Sequence, residues 1–269
     1  MNKPYAEVIG DPINHSKSPI IHGFWLATLG IDAEYRATHV TAEDLPGYFE
    51  TRKADPAWRG CNITVPHKLA ALDHVSDPGD VRGTIGAINT VFRADGAVIG
   101  TNTDAAGFWA PIDDLDISGQ PVTVIGAGGA ARAVLFALSR MGVGPVTIFN
   151  RNPLKAAALL SLFKLKGQAL PLSPAAPPSR LLINTSVLGM VGQPPLDLDL
   201  GALDDDSLVY DIVYAPLETG LLRAARKRNL ETVDGLEMLI AQAAVAFEIL
   251  FHVEPPRDND AKLRTLMTA

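Results

Sequence analysis

The stretch "PVTVIGAGGAARAVLFALSRMG", residues 121–142, passes without a break from a buried strand through a glycine turn into a helix that stops at Gly142. Its apolar run Val122–Ile125 is short and β-branched, and Gly126, Gly128 and Gly129 crowd the junction. Three further apolar runs follow, "PVTIFN" (145–150), "LLIN" (181–184) and "LVYDIV" (208–213), which read as strands of one sheet. Between them, the proline-rich "PLSPAAPPS" (171–179) reads as a surface connection, since apolar strands resume at once. Strands alternating with helices set the class as α/β.

Upstream lies a second set of alternating elements. "AEVIG" (6–10) and "AEYRATHV" (33–40) read as strands, with a helix between them opened by a Ser18 cap and Pro19 and stopped by Gly30. Thr41 is expected to cap the next helix. "CNITV" (61–65) is a third strand, after which Pro66 should open a short helix with Lys68 in its first turn. Ala94-Asp95-Gly96 reads as a hairpin turn. The last long helix, 235–251, has an apolar face interrupted by Glu237, Gln242 and Glu248. We expect two α/β domains, residues 1–104 joined by 236–269 and a Rossmann-type domain over 105–235.

Composition narrows the class. Hydrophobic residues at 47% and charged residues at 20% describe a globular chain with a substantial core. No apolar run reaches the roughly 20 residues that span a bilayer. The amino-terminal residues lack the apolar core of an export signal. One cysteine, Cys61, excludes an intrachain disulfide and suits a reducing cytoplasm, which is the expected location. The six histidines show no ligand spacing with acids or cysteine, so no metal site is expected.

A net charge of −7 speaks against a nucleic-acid partner, yet the charge is uneven. Residues 126–196 hold seven cations and no acid, which leaves −14 on the remainder. The island favours an anionic ligand. Glycines after a strand let the backbone approach a pyrophosphate at a helix N-terminus. An NAD site places an acid near the end of the second strand; here "FNRNPLK" (149–155) offers Asn150, Arg151 and Lys155 instead. Two cations suit a 2′-phosphate, so the expected cofactor is NADP.

Four polar clusters in the first 105 residues have no evident structural duty: "NHSKSP", "NITVPHK", "GAINT" and "GTNTD". In order and spacing, these motifs together with "GAGGAARA", "NRNPLK", "NTSVLGM", "YDIVYAPLET" and "DGLEMLIAQAA" closely resemble the shikimate dehydrogenase family, over residues 10 to about 250. The resemblance implies reversible NADPH-dependent reduction of 3-dehydroshikimate, on the route to chorismate and the aromatic amino acids. It makes Lys68 and Asp104 the catalytic pair, with Lys68 as general acid and base. It gives Ser16, Ser18, Asn62, Thr64, Asn89, Tyr214 and Gln242 to the substrate, whose carboxylate would be met by hydroxyls without an arginine. It gives Gly126, Ala127, Gly128, Gly129, Ala130, Asn150, Arg151, Asn152, Lys155, Thr185 and Ser186 to the cofactor, with Asp80, Ile212 and Gly235.

At Lys68 the expected helix end opposes the ammonium, while Asp104 favours it. Two positions depart from the family pattern: Ala105 replaces a glycine after Asn-Thr-Asp, and Asn152 replaces a threonine after Asn-Arg. A quinate/shikimate dehydrogenase paralogue with broader substrate or NAD use, and a non-catalytic cofactor or metabolite sensor, remain as alternatives. The expected partner is a small molecule, in a monomer or a homodimer, with neither nucleic acid nor membrane.

Overall fold

The computed structural model describes residues 3–268; Met1, Asn2 and Ala269, at the ends of the expected domain bounds, lie outside the described residues. The chain divides into two compact units, Met1–Gly107 with Ile240–Ala269, and Phe108–Leu239.

The first unit runs β1 (Tyr5–Gly10), α1 (Ser18–Leu29), β2 (Glu34–His39), α2 (Leu45–Ala54), β3 (Trp58–Ile63), α3 (Val81–Thr84), β4 (Thr90–Ala94), β5 (Ala97–Thr101) and the start of α4 (Asp104–Trp109). Its sheet has the order β2-β1-β3-β4-β5, with β1 parallel to β2 and β3, and with β4 antiparallel to both β3 and β5. Asp95 and Gly96 both take positive φ, which closes the hairpin between β4 and β5.

In the second unit, β6 (Val122–Ile125), α5 (Gly129–Arg140), β7 (Val146–Phe149), α6 (Pro153–Leu162), β8 (Gly167–Leu170), β9 (Leu181–Asn184), β10 (Leu208–Asp211), α7 (Gly220–Lys227) and β11 (Glu231–Asp234) follow in order. They form a six-stranded, all-parallel sheet ordered β11-β10-β9-β6-β7-β8. This is the Rossmann order, and it reverses direction between β6 and β9. Helix α8 (Gly235–Phe251) then leads back to the first unit, which α9 (Asp260–Thr268) ends.

Packing explains the pattern. Helix α5 buries Ala131, Ala133, Val134, Leu135, Ala137 and Leu138. Each buried leucine of this kind contributes roughly 1.5–3 kcal/mol. In the first unit, His22, Trp25, Tyr35 and Phe247 form one aromatic stack. Glu7, wholly buried in the middle of β1, is an acid that its apolar neighbours do not announce. It accepts from Tyr48 at 2.8 Å, from Arg52 Nε at 2.6 Å, and from the Thr38 hydroxyl. A carboxylate taken from water is tolerable only with its lone pairs filled in this way.

Three local expectations are corrected. Ser18 is the first residue of α1 and Lys17 occupies the cap position, so Ser18 is no cap. Thr41 caps the turn that precedes α2, accepting from the Asp44 N–H at 3.2 Å, while α2 itself starts at Leu45. Lys68 lies in a turn and not in a helix; the nearest helical segment is a short 3₁₀ piece, Ala70–His74. The macrodipole opposition expected at Lys68 is therefore absent. Strands β8 and β11 and helices α3, α6, α7 and α9 are not among the elements expected from the sequence.

Candidate active site

Lys68 is held by its backbone. Its carbonyl accepts from Ile88 N at 2.8 Å, and the preceding His67, buried, sets a ring nitrogen 2.6 Å from the Val40 carbonyl. The Lys68 carbonyl is thereby taken up outside the i→i−4 ladder, and a turn stands where a helix is expected. The turn presents the Lys68 ammonium to Asp104 Oδ2 at 2.5 Å, with side-chain exposures of only 15% and 8%. At that distance and depth the pair is a charge-assisted hydrogen bond more than a surface ion pair.

Asp104 begins α4, where Asn102 accepts from the Ala105 N–H at 3.3 Å. Ala105 sits in regular helix, so the alanine at this departure from the family pattern fits without strain. The second Asp104 oxygen accepts from Asn89 Nδ2 at 2.9 Å. Asn89 also donates to Thr103 Oγ1 at 2.9 Å and to Gln242 Oε1 at 3.2 Å. Its own oxygen accepts from the Thr103 N–H at 2.7 Å. Of the three polar interruptions expected along α8, Glu237 and Glu248 are exposed and Gln242 is buried in this network.

Asn62, expected to face substrate, is buried and hydrogen-bonded at both ends of its amide. It accepts from Tyr35 at 2.6 Å and donates to Thr90 at 2.9 Å and to the Asn89 carbonyl at 3.2 Å. Thr64, two residues on, is half-buried at the mouth of β3, its methyl tight against Gly10. Ser16 Oγ accepts from the Ser18 N–H at 3.3 Å, which leaves the Ser16 hydroxyl proton to donate outward. Asp80 takes a left-handed conformation and caps α3, accepting from Gly83 N at 3.1 Å. Sequence reasoning passed over Tyr35, Thr90, Thr103 and His67. Thr90 and Thr103 stood inside quoted motifs, while Tyr35 carried no signal beyond its strand.

In the second unit, Gly126 takes φ 106°, and a Cβ there would stand 2.8 Å from Thr185 Oγ1 and 3.1 Å from Ser186 N. This junction lies where β6 and β9 end side by side, at the reversal of strand order, where α/β sheets bind ligands. Gly128, the cap of α5, has ordinary φ of −91°, and a Cβ on it would meet no atom of the chain within 4 Å. The fold therefore requires glycine at 126 but not at 128. The space over Gly128 and the open N-terminus of α5 fit a pyrophosphate. Asn150 donates to the Asn152 carbonyl at 2.8 Å. Asn152 in turn caps α6, accepting from the Lys155 N–H at 3.2 Å. Threonine, the usual family residue there, is also a good cap, so this departure preserves the local geometry. Arg151 and Lys155 are exposed and, among the described residues, in no ion pair. Such cations fit a 2′-phosphate.

The rest of the expected cofactor and substrate set in this unit is placed as follows. Ala127 lies in the turn before Gly128, while Gly129 and Ala130 are the first two residues of α5. Gly235 is buried with the Ile212 carbonyl only 2.3 Å from where its Cβ would stand, so close packing requires this glycine. Tyr214 is half-buried, and burial raises its phenol above the usual value.

The glycine pair yields a separable prediction. Gly126→Ala is expected to cost about 2 kcal/mol through its backbone and to lower Tm by several degrees. Gly128→Ala should leave Tm unchanged and raise KM for NADP at least tenfold. Thermal melts and steady-state titrations of both variants check this; equal losses of Tm with unchanged KM would remove the pyrophosphate role of Gly128.

Among the described residues, no group of three or more His, Cys, Asp or Glu side chains could hold a metal, and no helix is long and apolar enough to cross a membrane. Residues 8–91 match the shikimate dehydrogenase substrate binding domain, 111–176 match the shikimate / quinate 5-dehydrogenase family, and 235–262 match the shikimate 5′-dehydrogenase C-terminal domain. A shikimate dehydrogenase (NADP(+)) from Sphingopyxis alaskensis is 62% identical over 267 residues, covering 99% of this chain and 97% of the relative. The crystal structure of shikimate 5-dehydrogenase from Thermus thermophilus in complex with NADP(H) and shikimate is 36% identical, covers 98% of this chain and 99% of its own, and superposes with a TM-score of 0.86. A ligand-free 5-ketofructose reductase of Gluconobacter covers 99% of both chains with a TM-score of 0.89 at 29% identity. With 62% identity over nearly its whole length, and the Lys68–Asp104–Asn89 network in place, this chain belongs to the shikimate dehydrogenase family.

Proposed function

We propose that the protein catalyses the reversible NADPH-dependent reduction of 3-dehydroshikimate to shikimate, with Lys68 as the general acid and base. The observation that carries this reading is the part-buried Lys68–Asp104 pair at 2.5 Å, its second carboxylate oxygen held by Asn89. The nicotinamide, when bound, exchanges a hydride with the substrate carbon. The oxygen on that carbon gains charge as the carbonyl is reduced, and an ammonium proton at Lys68 neutralises it. In the oxidative direction the amine takes the proton back. Asp104 holds the ammonium in place, and Asn89 keeps the carboxylate from turning.

Residues 1–104 with 236–269 serve as the substrate-binding catalytic domain and 105–235 as the NADP-binding domain. Ser16, Ser18, Asn62, Thr64, Asn89, Tyr214 and Gln242 bind the substrate carboxylate and ring hydroxyls. The hydroxyls among them replace the arginine that no substrate motif contains. The protein works in the cytoplasm as a monomer or a homodimer.

The fold by itself does not choose the carbonyl, because a 5-ketofructose reductase shares it. Initial rates with shikimate and quinate, each crossed with NADP and NAD, test the reading. Turnover is expected with shikimate and NADP at least tenfold above the other three pairs. Comparable rates with quinate or NAD would assign the broader paralogue, and no turnover in any pair would leave a non-catalytic binder.

A further inference from the structure

Behind the catalytic pair runs a line of buried polar side chains from four elements. Tyr35 on β2 donates to Asn62 Oδ1 on β3 at 2.6 Å. Asn62 Nδ2 donates to Thr90 Oγ1 on β4 at 2.9 Å. The Thr90 hydroxyl donates to Asn89 Oδ1 at 3.1 Å, and Asn89 Nδ2 donates to Asp104 Oδ1 at 2.9 Å. Every donor points the same way, towards the carboxylate that Lys68 holds from its other side. Bonds aligned in one direction polarise one another, so the last of them is strengthened by those before it.

The polarity of this line is fixed at Asn62. A buried asparagine can present oxygen and nitrogen in either order, and only its partners decide. The Asn89 carbonyl, which can only accept, marks Nδ2 as donor, and the phenol completes the arrangement by donating to Oδ1. Burial keeps that phenol protonated by raising it well above its usual value. The ring is held by a stack with His22, its centroid 3.9 Å away and its plane within 4°. Burial pushes the His22 imidazole down to about 3, so this stacking partner stays neutral. In the sheet, Tyr35 pairs with Ala6 on β1, the strand that lies between β2 and β3.

We propose that Tyr35 and Thr90 are positioning residues for catalysis: through Asn62 and Asn89 they fix the orientation of the Asp104 carboxylate and so aim the Lys68 ammonium. The proposal rests on the functional reading above and adds residues that touch no reacting atom. Without the phenol proton, Asn62 Oδ1 is a buried acceptor with no donor, and the amide keeps only the Asn89 carbonyl and Thr90 to hold it. The N–H that directs the Thr90 proton to Asn89 is then less firmly placed.

The test uses Tyr35→Phe, which keeps the stacked ring, with Thr90→Val and Thr90→Ser. Tyr35→Phe and Thr90→Val are expected to lower kcat with shikimate about tenfold, with KM for NADP unchanged within twofold. Thr90→Ser, which restores the hydroxyl, should retain kcat within twofold of the parent. In 1H–15N spectra of the ligand-free protein, the Asn89 side-chain amide pair should shift in the first two variants and not in the third. Adding Tyr35→Phe to Thr90→Val should cost nothing more, because both cut one line. A lower Tm with unchanged kcat and unchanged Asn89 resonances would overturn the proposal and leave Tyr35 a packing residue. Should Tyr35→Phe fail to fold, the contrast between valine and serine at position 90 decides alone. A parent protein inactive with shikimate would defeat the functional reading, while the Asn89 resonances would still judge the positioning line.

Discussion

Replacing Lys68 by alanine is expected to lower kcat for shikimate oxidation by about 100- to 10,000-fold, the range for losing a positioned general acid and base. The adjacent His67 is not placed to substitute, being buried with its ring nitrogen on the Val40 carbonyl. Substrate affinity should change little, because the ammonium acts on charge that develops only as the carbonyl is reduced. Stability is expected to fall as well. Asp104, with a side chain only 8% exposed, loses its cation, and breaking a buried pair costs about 3–5 kcal/mol at the most enclosed sites. The rate comparison therefore belongs well below the variant's Tm, with substrate binding measured by fluorescence titration alongside. Turnover equal to the parent's would end the assignment of Lys68 as the proton donor. A rise in KM with kcat unchanged would recast it as a binding residue.

The second large effect is expected at the acid-free end of β7. The double variant Arg151→Ala, Lys155→Ala should raise KM for NADP about 100-fold and leave KM for NAD within twofold. A hydrogen bond to a charged group contributes about 1.5–3 kcal/mol, and solvent exposure of both side chains brings each nearer the lower end. That corresponds to about tenfold apiece. The effect should also shrink as salt rises, because the screening length falls to about 3 Å at 1 M. Steady-state KM values for both nucleotides at two ionic strengths decide the matter. Parallel rises for NADP and NAD would show that the two cations serve the common pyrophosphate or the fold instead of the 2′-phosphate. Tm is expected to hold, since Asn152 and Pro153, not the two cations, set the start of α6.

Local signals carried most of the second unit. The strand, glycine turn and helix of residues 121–142 and the strands at 145–150, 181–184 and 208–213 all announce themselves through short-range chemistry. They do so because a parallel strand buried on both faces must be apolar throughout, and because a tight turn at φ 106° needs glycine. Strands β8 and β11 were illegible for the opposite reason: "GQAL" and "ETVD" are short and largely outside the apolar core, and pairing with β7 and β10 defines them.

The first unit divides differently. Its polar motifs were visible as residues without structural duty, and their roles came from the order of motifs along the chain. What no spacing could supply was which atoms meet. Lys68 and Asp104 are 36 residues apart, and Asn89 and Gln242 are 153 apart. The helix expected at Lys68 is a turn, in which the Lys68 carbonyl accepts from Ile88 N on a distant part of the chain. By itself the sequence determined the fold class, the dinucleotide turn, the cationic end of β7 and the family. Tertiary structure alone decided the hydrogen-bond directions that run from Tyr35 to Asp104, because a buried amide takes its orientation from partners brought to it by other strands.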